Sequence, residues 1–269
     1  MSTVRALAAA LAAVALMPAA ASAQPTDAWR FRASLYAYLP TIGGSTIFPP
    51  ESGGSSASVD IDTILENLKM TFMGALEAKR GQFGLFTDVI YLNVGDSKSG
   101  SRDLTLGGVT LPAGVNANVD FDLKGWAWTL GGSFEAVRTP DAYLDVFGGV
   151  RMLDIEQTLD WTLTGNVGSV ATANRSGSRG AGLQNWDVVV GVKGRVAFGE
   201  GRKWYAPYYL DAGFGDSDAT WQAMTGLGYS FGWGDLFASW RYLDYDMKSG
   251  KALASLDFNG PAIGAVFRW

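Results

Sequence analysis

The chain has 269 residues without cysteine or histidine, and its 26 acidic and 21 basic residues give a net charge of −5. This balance excludes the basic surface that nucleic-acid binding requires, and the absence of thiols and imidazoles argues against disulfides, zinc sites and other cofactor sites. Hydrophobic residues make up 48% of a chain that contains 35 glycines, yet no run after residue 23 approaches the ~20 apolar residues of a spanning helix.

Residues 1–23 have the three regions of a secretory signal peptide: a positive start at Arg5, an apolar run that ends before Pro18, and a small-residue cleavage site. This order predicts export and cleavage before Gln24. An uncleaved membrane anchor is the alternative, but the apolar run is short and Pro18 interrupts it. We expect residues 24–269 to form a single domain.

The mature chain alternates between polar and apolar residues in about ten segments, with eight or twelve as alternatives, and its connections are alternately short and long. The predicted strands are 29–39, 70–80, 82–94, 119–138, 142–164, 186–199, 203–216, 218–232, 235–247 and 252–269. The long connections, rich in Gly, Ser and Asn, are 40–69, 95–118 and 165–185. Because only helices and closed barrels satisfy every backbone group inside lipid, we predict an all-β, transmembrane, antiparallel up-and-down barrel. Its termini and short turns are expected on the periplasmic side and its long loops outside.

The first long connection contains a helical spacing of apolar residues and a capping box formed by Thr63 and Glu66. The apolar positions are Ile61, Ile64, Leu65 and Leu68. They predict a short amphipathic helix in the first extracellular loop. The helix would either fold into the mouth of the barrel as a plug or lie across its rim.

Aromatic residues repeat at the spacing of a membrane-crossing strand. Trp204 and Phe214 share a parity and lie ten residues apart, as do Trp221 and Phe231. A tilted membrane strand has about 9 to 11 residues between the two interfaces. The spacing therefore favours two aromatic girdles in lipid over the buried aromatics of a soluble sandwich.

The opposite parity carries six acids and six bases that would face the barrel interior. These candidate lining residues are Arg32, Glu77, Asp88, Glu135, Asp145, Arg151, Asp187, Lys193, Arg195, Asp211, Arg241 and Arg268. A barrel of about ten strands is narrow, so charges inside it have to pair. A rigid salt-bridged core and a narrow water-filled path with charged walls are both consistent with this pattern.

Pairs of aspartates recur at the predicted outer ends of strands, where they suggest divalent cations bridging to lipopolysaccharide phosphates. The pairs are Asp60 with Asp62, Asp120 with Asp122, Asp216 with Asp218, and Asp244 with Asp246. Solvated rim charge is the alternative that we favour, and we assign no metal site, because a calcium site usually needs six or more oxygens.

Catalysis is not expected, because a chain without histidine lacks the usual base of outer-membrane hydrolases and proteases. A carboxylate pair such as Asp145 and Asp211 shares only the interior parity. No nucleophile, base and orienting group can be named together.

The last ten residues, 260–269, alternate between large apolar and small side chains and end on an aromatic residue. They resemble the C-terminal insertion signal of Gram-negative outer-membrane β-barrels, with Trp269 where Phe is commoner. Together with segments 84–91, 147–151, 221–229 and 240–244, they make the chain similar to porin-like outer-membrane barrel proteins of Gram-negative bacteria. The resemblance implies the fold and an outer-membrane location. It also implies contacts with membrane lipid, lipopolysaccharide and the barrel-assembly machinery.

Two functional hypotheses follow. The first, which the sequence favours, is a narrow, porin-like passive channel for small hydrophilic solutes or ions, lined by the twelve interior charges. The second is a closed structural or adhesive barrel that acts through its extracellular loops and lipopolysaccharide contacts. Strands 119–138 and 142–164 are longer than a membrane requires, so we expect them to project above it as a hairpin, which lends some support to the second hypothesis.

Overall fold

A computed structural model describes residues 28–46, 55–59, 68–100, 105–106, 109–110, 115–167, 170–251 and 253–269. The strands in chain order are β1 (Trp29–Tyr38), β2 (Thr41–Thr46), β3 (Ser55–Val59), β4 (Leu68–Arg80), β5 (Phe83–Gly100), β6 (Thr105–Leu106), β7 (Val109–Thr110), β8 (Val115–Arg138), β9 (Ala142–Val167), β10 (Val170–Phe198), β11 (Trp204–Gly215), β12 (Ser217–Ser230), β13 (Asp235–Met247) and β14 (Leu253–Arg268). Ten of them form a closed antiparallel barrel in the order β1-β4-β5-β8-β9-β10-β11-β12-β13-β14, so the predicted fold is confirmed.

The barrel closes where the last strand meets the first. β14 pairs with β1 from Arg268 opposite Arg32 to Ala262 opposite Tyr38. Beyond that point β14 pairs with β2, which in turn pairs with β3. β1 ends just before Pro40, which has no backbone N–H to donate to a ladder, and β2 continues along β14 toward the outer end.

The predicted strand boundaries hold within a few residues except at the outer ends. β10 begins at Val170 rather than at residue 186, so most of the predicted connection 165–185 is paired strand. The predicted connection 95–118 is likewise shortened by β5 and β8, and 40–69 contains β2 and β3. These segments lie beyond the lipid, where neither face of a strand needs to be apolar, so they lack the alternation on which the prediction relied.

The predicted loop helix cannot be compared, because residues 60–67 lie outside the described part of the chain, and Leu68 is the first residue of β4. Across the described residues, no helix combines the length and apolarity needed to cross a membrane.

The outer surface carries two bands of aromatic side chains. At the periplasmic end Phe31 stacks on Trp269, with ring centroids 5.9 Å apart, and Phe231 stacks on Trp233 at 5.7 Å. At the outer end the ring centroids of Tyr91 and Trp126 are 4.3 Å apart, and those of Trp221 and Tyr242 are 4.8 Å apart. Ten residues at about 3.3 Å each, tilted by about 40°, separate the bands by about 25 Å, the height of an apolar band in outer-membrane barrels.

One side of the barrel is much taller than the other. β8, β9 and β10 have 24, 26 and 29 residues, whereas β11, β12 and β13 have 12, 14 and 13. The part of β8 before Trp126 starts at Val115, so it rises on the order of 30 Å beyond the outer aromatic band. The expected hairpin is therefore present, and β10 and the outer end of β5 join it in one projecting sheet.

The projecting sheet ends in a free edge. β10 pairs with β11 only from Asp187, opposite Gly215, to the periplasmic end. The backbone of Trp186 is hydrogen-bonded to Asp216, so within the described residues 170–185 pair with β9 alone. A free edge presents backbone N–H and C=O groups that can pair with another strand.

Candidate functional site

The candidate site is the barrel interior, where side chains from non-adjacent strands meet. Arg151 on β9 contacts Asp211 on β11, and Arg241 on β13 contacts Asp88 on β5. Contacts between strands that are not neighbours in the sheet have to run through the lumen. Eight of the twelve candidate residues have side chains that are at most 19% exposed. Three at the periplasmic end are more open: Arg32, Arg195 and Arg268. The twelfth, Asp187, accepts hydrogen bonds from the backbone and hydroxyl of Ser217 at 2.9 Å.

Two arginine–aspartate pairs cross the middle of the lumen, and we call them the middle layer. Arg151 is only 1% exposed; it donates to Asp211 and, at 3.2 Å, to the hydroxyl of Thr129. Arg241 donates at 2.6 Å to Asp88, which also accepts a hydrogen bond from the hydroxyl of Tyr36. Pairs this deeply buried hold facing walls of the barrel together, because separating either would leave a desolvated charge.

A larger charged cluster occupies the periplasmic third of the interior. Glu77 lies 3.2 Å from Arg32, 3.1 Å from Lys193 and 3.7 Å from Lys79. Lys79 also donates a hydrogen bond to Asp145 and lies 3.5 Å from Glu135. Three cations thus converge on one carboxylate.

Sequence reasoning missed two members of this cluster. Lys79 shares the parity of Glu77 within one predicted strand, so that parity could have identified it. Asp235 accepts a hydrogen bond from Arg268 at 2.5 Å and lies 3.5 Å from Arg195. It shares the inward parity of Arg241, but its position at the predicted start of a strand gave it the appearance of a turn residue.

Toward the outer end the interior becomes apolar, which the sequence analysis did not predict. Tyr38, Leu153, Leu243 and Tyr245 are each no more than 1% exposed. They belong to one cluster that we call the outer apolar layer, together with Ile42, Met73, Ile90, Leu92, Ile155, Leu183, Met247 and Leu256. The cavity among these side chains is only about 30 Å³, room for a few water molecules at most. Along the described residues, this layer fills the lumen.

Open space remains at the periplasmic end. Two cavities of about 160 and 200 Å³ share Arg32, Ser34, Glu77, Lys193, Tyr209 and Phe237 and therefore adjoin. We call them together the periplasmic chamber. The side chains of Arg32, Arg195 and Arg268 are 31%, 26% and 36% exposed, against 1% for Arg151. Solvent therefore enters from the periplasmic side and stops at the middle layer.

The structure offers limited support for divalent cations at the outer rim. Asp216 accepts a hydrogen bond from the backbone of Trp186 at 3.0 Å. Asp60 and Asp62 lie outside the described residues, as do the side chains of Asp120 and Asp122. Among the side chains that are described, no three metal-ligating groups come close enough together to hold an ion.

Comparisons with known proteins agree on the architecture. No protein-family model and no curated protein matches the chain. Among solved structures, it is similar to the outer membrane protease OmpT of Escherichia coli, with 10% identity, 92% of this chain and 98% of that chain covered, and a TM-score of 0.50. Ail, the attachment invasion locus protein of Yersinia pestis, matches with 12% identity over 91% of this chain and 100% of its own, at a TM-score of 0.33. Similarity at this level of identity shows the fold alone.

The closed barrel, its aromatic bands and the fold that it shares with OmpT define the class of protein. The chain is an outer-membrane β-barrel, and it lies in the outer membrane.

The middle layer generates a stability prediction. Arg151→Met leaves the buried Asp211 without its cation and should lower the free energy of unfolding by about 3–5 kcal/mol. Adding Asp211→Leu removes the orphaned charge and should restore most of the loss. Urea unfolding in lipid vesicles, followed by tryptophan fluorescence, measures both variants. Lys124→Gln, which breaks the exposed Lys124–Glu156 pair, is the control and should leave the transition unchanged. If the double variant is as unstable as Arg151→Met alone, Arg151 and Asp211 do not form the buried ion pair described above.

Proposed function

We propose that the protein is a closed outer-membrane barrel that acts at the cell surface through its projecting sheet. The observation that carries this proposal is the contrast between the two ends of the interior. The periplasmic chamber is open to solvent, whereas the middle layer and the outer apolar layer fill the lumen beyond it. A lumen filled in this way anchors the barrel rigidly and leaves the extracellular side as the place of contact.

The projecting sheet supports a role in adhesion. It stands on the tall side of the barrel, and its outermost strand, β10, offers residues 170–185 as an edge paired on one side only within the described residues. Extended segments of other polypeptides bind such edges by main-chain hydrogen bonds. The segment contains Arg175 and Arg179 and no acidic residue, so an acidic extended partner suits it best.

A passive channel is the second candidate, and the periplasmic chamber is the observation in its favour. Its charged walls fit a route for small hydrophilic solutes or ions. Such a route would require the outer apolar layer to separate, at the cost of exposing side chains such as Leu153 and Leu243 to water. The resting structure therefore favours the closed barrel.

The same features support proposals about the partners of the protein and about whether it is an enzyme. The two aromatic bands suit the two interfaces of the outer membrane, so membrane lipid and lipopolysaccharide are the expected surroundings. The terminal strand β14, which closes the barrel, is the segment that the barrel-assembly machinery would recognise. Because the chain has no histidine or cysteine, we propose that it is not an enzyme.

The closed lumen can be tested with single cysteines, because the chain contains none of its own. In lipid nanodiscs both mouths are accessible, so a water-filled lumen would expose all depths. A small anionic methanethiosulfonate should modify Ser34→Cys in the periplasmic chamber quickly. It should modify Leu153→Cys in the outer apolar layer on the order of a hundredfold more slowly, since labelling then requires local opening. Both should react fully in denaturant. Comparable rates in nanodiscs would support the channel instead.

The surface role can be tested by shortening β9 and β10, the two longest strands of the projecting sheet. Deleting residues 158–180 joins β9 to β10 by a two-residue turn, Gln157-Ala181, next to the existing pair of Glu156 and Gly182. The barrel should still fold, but adhesion of expressing cells to protein-coated surfaces should fall to the level of cells without it. Lys248→Gln in the short loop on the low side is the control. Full adhesion by the shortened chain would rule out the proposed role of the sheet.

A further inference from the structure

The periplasmic chamber has an excess of positive charge. Four cations, Arg32, Lys193, Arg195 and Arg241, line it against three carboxylates, Glu77, Asp88 and Asp235. Two of these carboxylates are shared: Glu77 serves Arg32 and Lys193 as well as Lys79, and Asp235 serves Arg195 and Arg268. Uncompensated positive charge in a narrow barrel is costly. An anion entering from the periplasm would therefore be stabilised.

Lys193 and Arg195 are the cations best placed to receive that anion. They lie two residues apart on β10, so they share the inward face of one strand. Lys193 lines both cavities of the chamber, and Arg195 lines the larger one. Asp235 remains 2.5 Å from Arg268, so Arg195 can turn toward a ligand without leaving that carboxylate unpaired.

The smaller cavity is walled by rings. Phe86, Tyr209 and Phe237 line it together with Met224. The ammonium group of Lys193 lies 3.9 Å from the centroid of the Phe86 ring, which places a cation at the edge of this aromatic space. An engineered apolar cavity of about 150 Å³ binds benzene, so the 160 Å³ here accommodates a single six-membered ring.

We propose that the periplasmic chamber binds a compact aromatic monocarboxylate, with its ring between Phe86 and Phe237 and its carboxylate on Lys193 and Arg195. The ligand adds one negative charge where cations exceed carboxylates by one, and its ring fills the adjoining space. This site is independent of the proposed surface role, because it lies at the opposite end of the barrel.

The probe is 4-fluorobenzoate, observed by fluorine NMR with the full chain in nanodiscs, and empty nanodiscs correct for partition into lipid. The fluorine line should broaden with the wild-type protein and sharpen again when unlabelled benzoate is added. Arg195→Gln should weaken binding about tenfold, the effect of one charge-assisted hydrogen bond. Ser34→Phe, which fills the chamber while keeping every charge, should abolish binding. Lys124→Gln removes a cation outside the barrel and should bind as the wild type does.

Two competitors separate the parts of the proposal. Benzyl alcohol has the ring without the charge and should compete at least about tenfold more weakly than benzoate. Sodium chloride, added to the same ionic strength as the sodium benzoate, should not displace the probe, so the fluorine line should stay broad. If chloride displaces 4-fluorobenzoate at the same concentration as benzoate does, the proposal is overturned, and the site is one for inorganic anions only. Absence of line broadening with the wild-type protein would also overturn it. So would binding by Arg195→Gln or by Ser34→Phe that is as tight as binding by the wild type.

Discussion

A ten-stranded barrel is too narrow to hold bulk water at mid-height, so the charges buried there have to find partners across the lumen. Arg151 meets Asp211 from two strands away, and Arg241 reaches from β13 to Asp88 on β5. These pairs tie opposite walls together at mid-height. The other features of the interior are arranged around them, with charge and water on the periplasmic side and apolar side chains on the outer side.

Depth in the membrane also explains the shape of the outer half. Inside the lipid, each strand needs one apolar face, and the aromatic side chains mark both boundaries of that zone. Beyond the outer band the constraint ends, and β8, β9 and β10 continue as a sheet that is rich in Gly, Ser, Thr and Asn. The outer apolar layer lies at the base of this sheet and supports its strands from within. A filled lumen and a projecting sheet are thus parts of one arrangement that directs the protein toward the cell surface.

Most of the barrel could be predicted because a membrane imposes a period of two on each strand. The same parity selected the twelve candidate charges, and it would have selected Lys79 had every position of the strand that contains Glu77 been included. It could not reveal which charges pair, because Arg151 and Asp211 lie 60 residues apart in the chain. It also gave no sign of the outer apolar layer, since Leu153 and Leu243 fall on the parity that was read as polar.

The extension of β10 was missed for a different reason. Residues 170–185 pair with β9 through the backbone, and such pairing does not itself require a hydrophobic pattern. Two buried side chains near the end of the segment, Leu183 and Asn185, are too few to produce one. Glycine and serine in this segment indicated a loop, and only the register with β9 shows a strand.

Electrical recording in planar bilayers tests the central claim of a closed lumen most directly. Purified protein, with insertion verified by its heat-dependent migration on gels, should give no steady openings at moderate voltage and physiological salt. Reproducible single-channel openings of the wild-type chain would contradict the account, and a change in their ion selectivity in Arg241→Gln would place the conducting path through the middle layer.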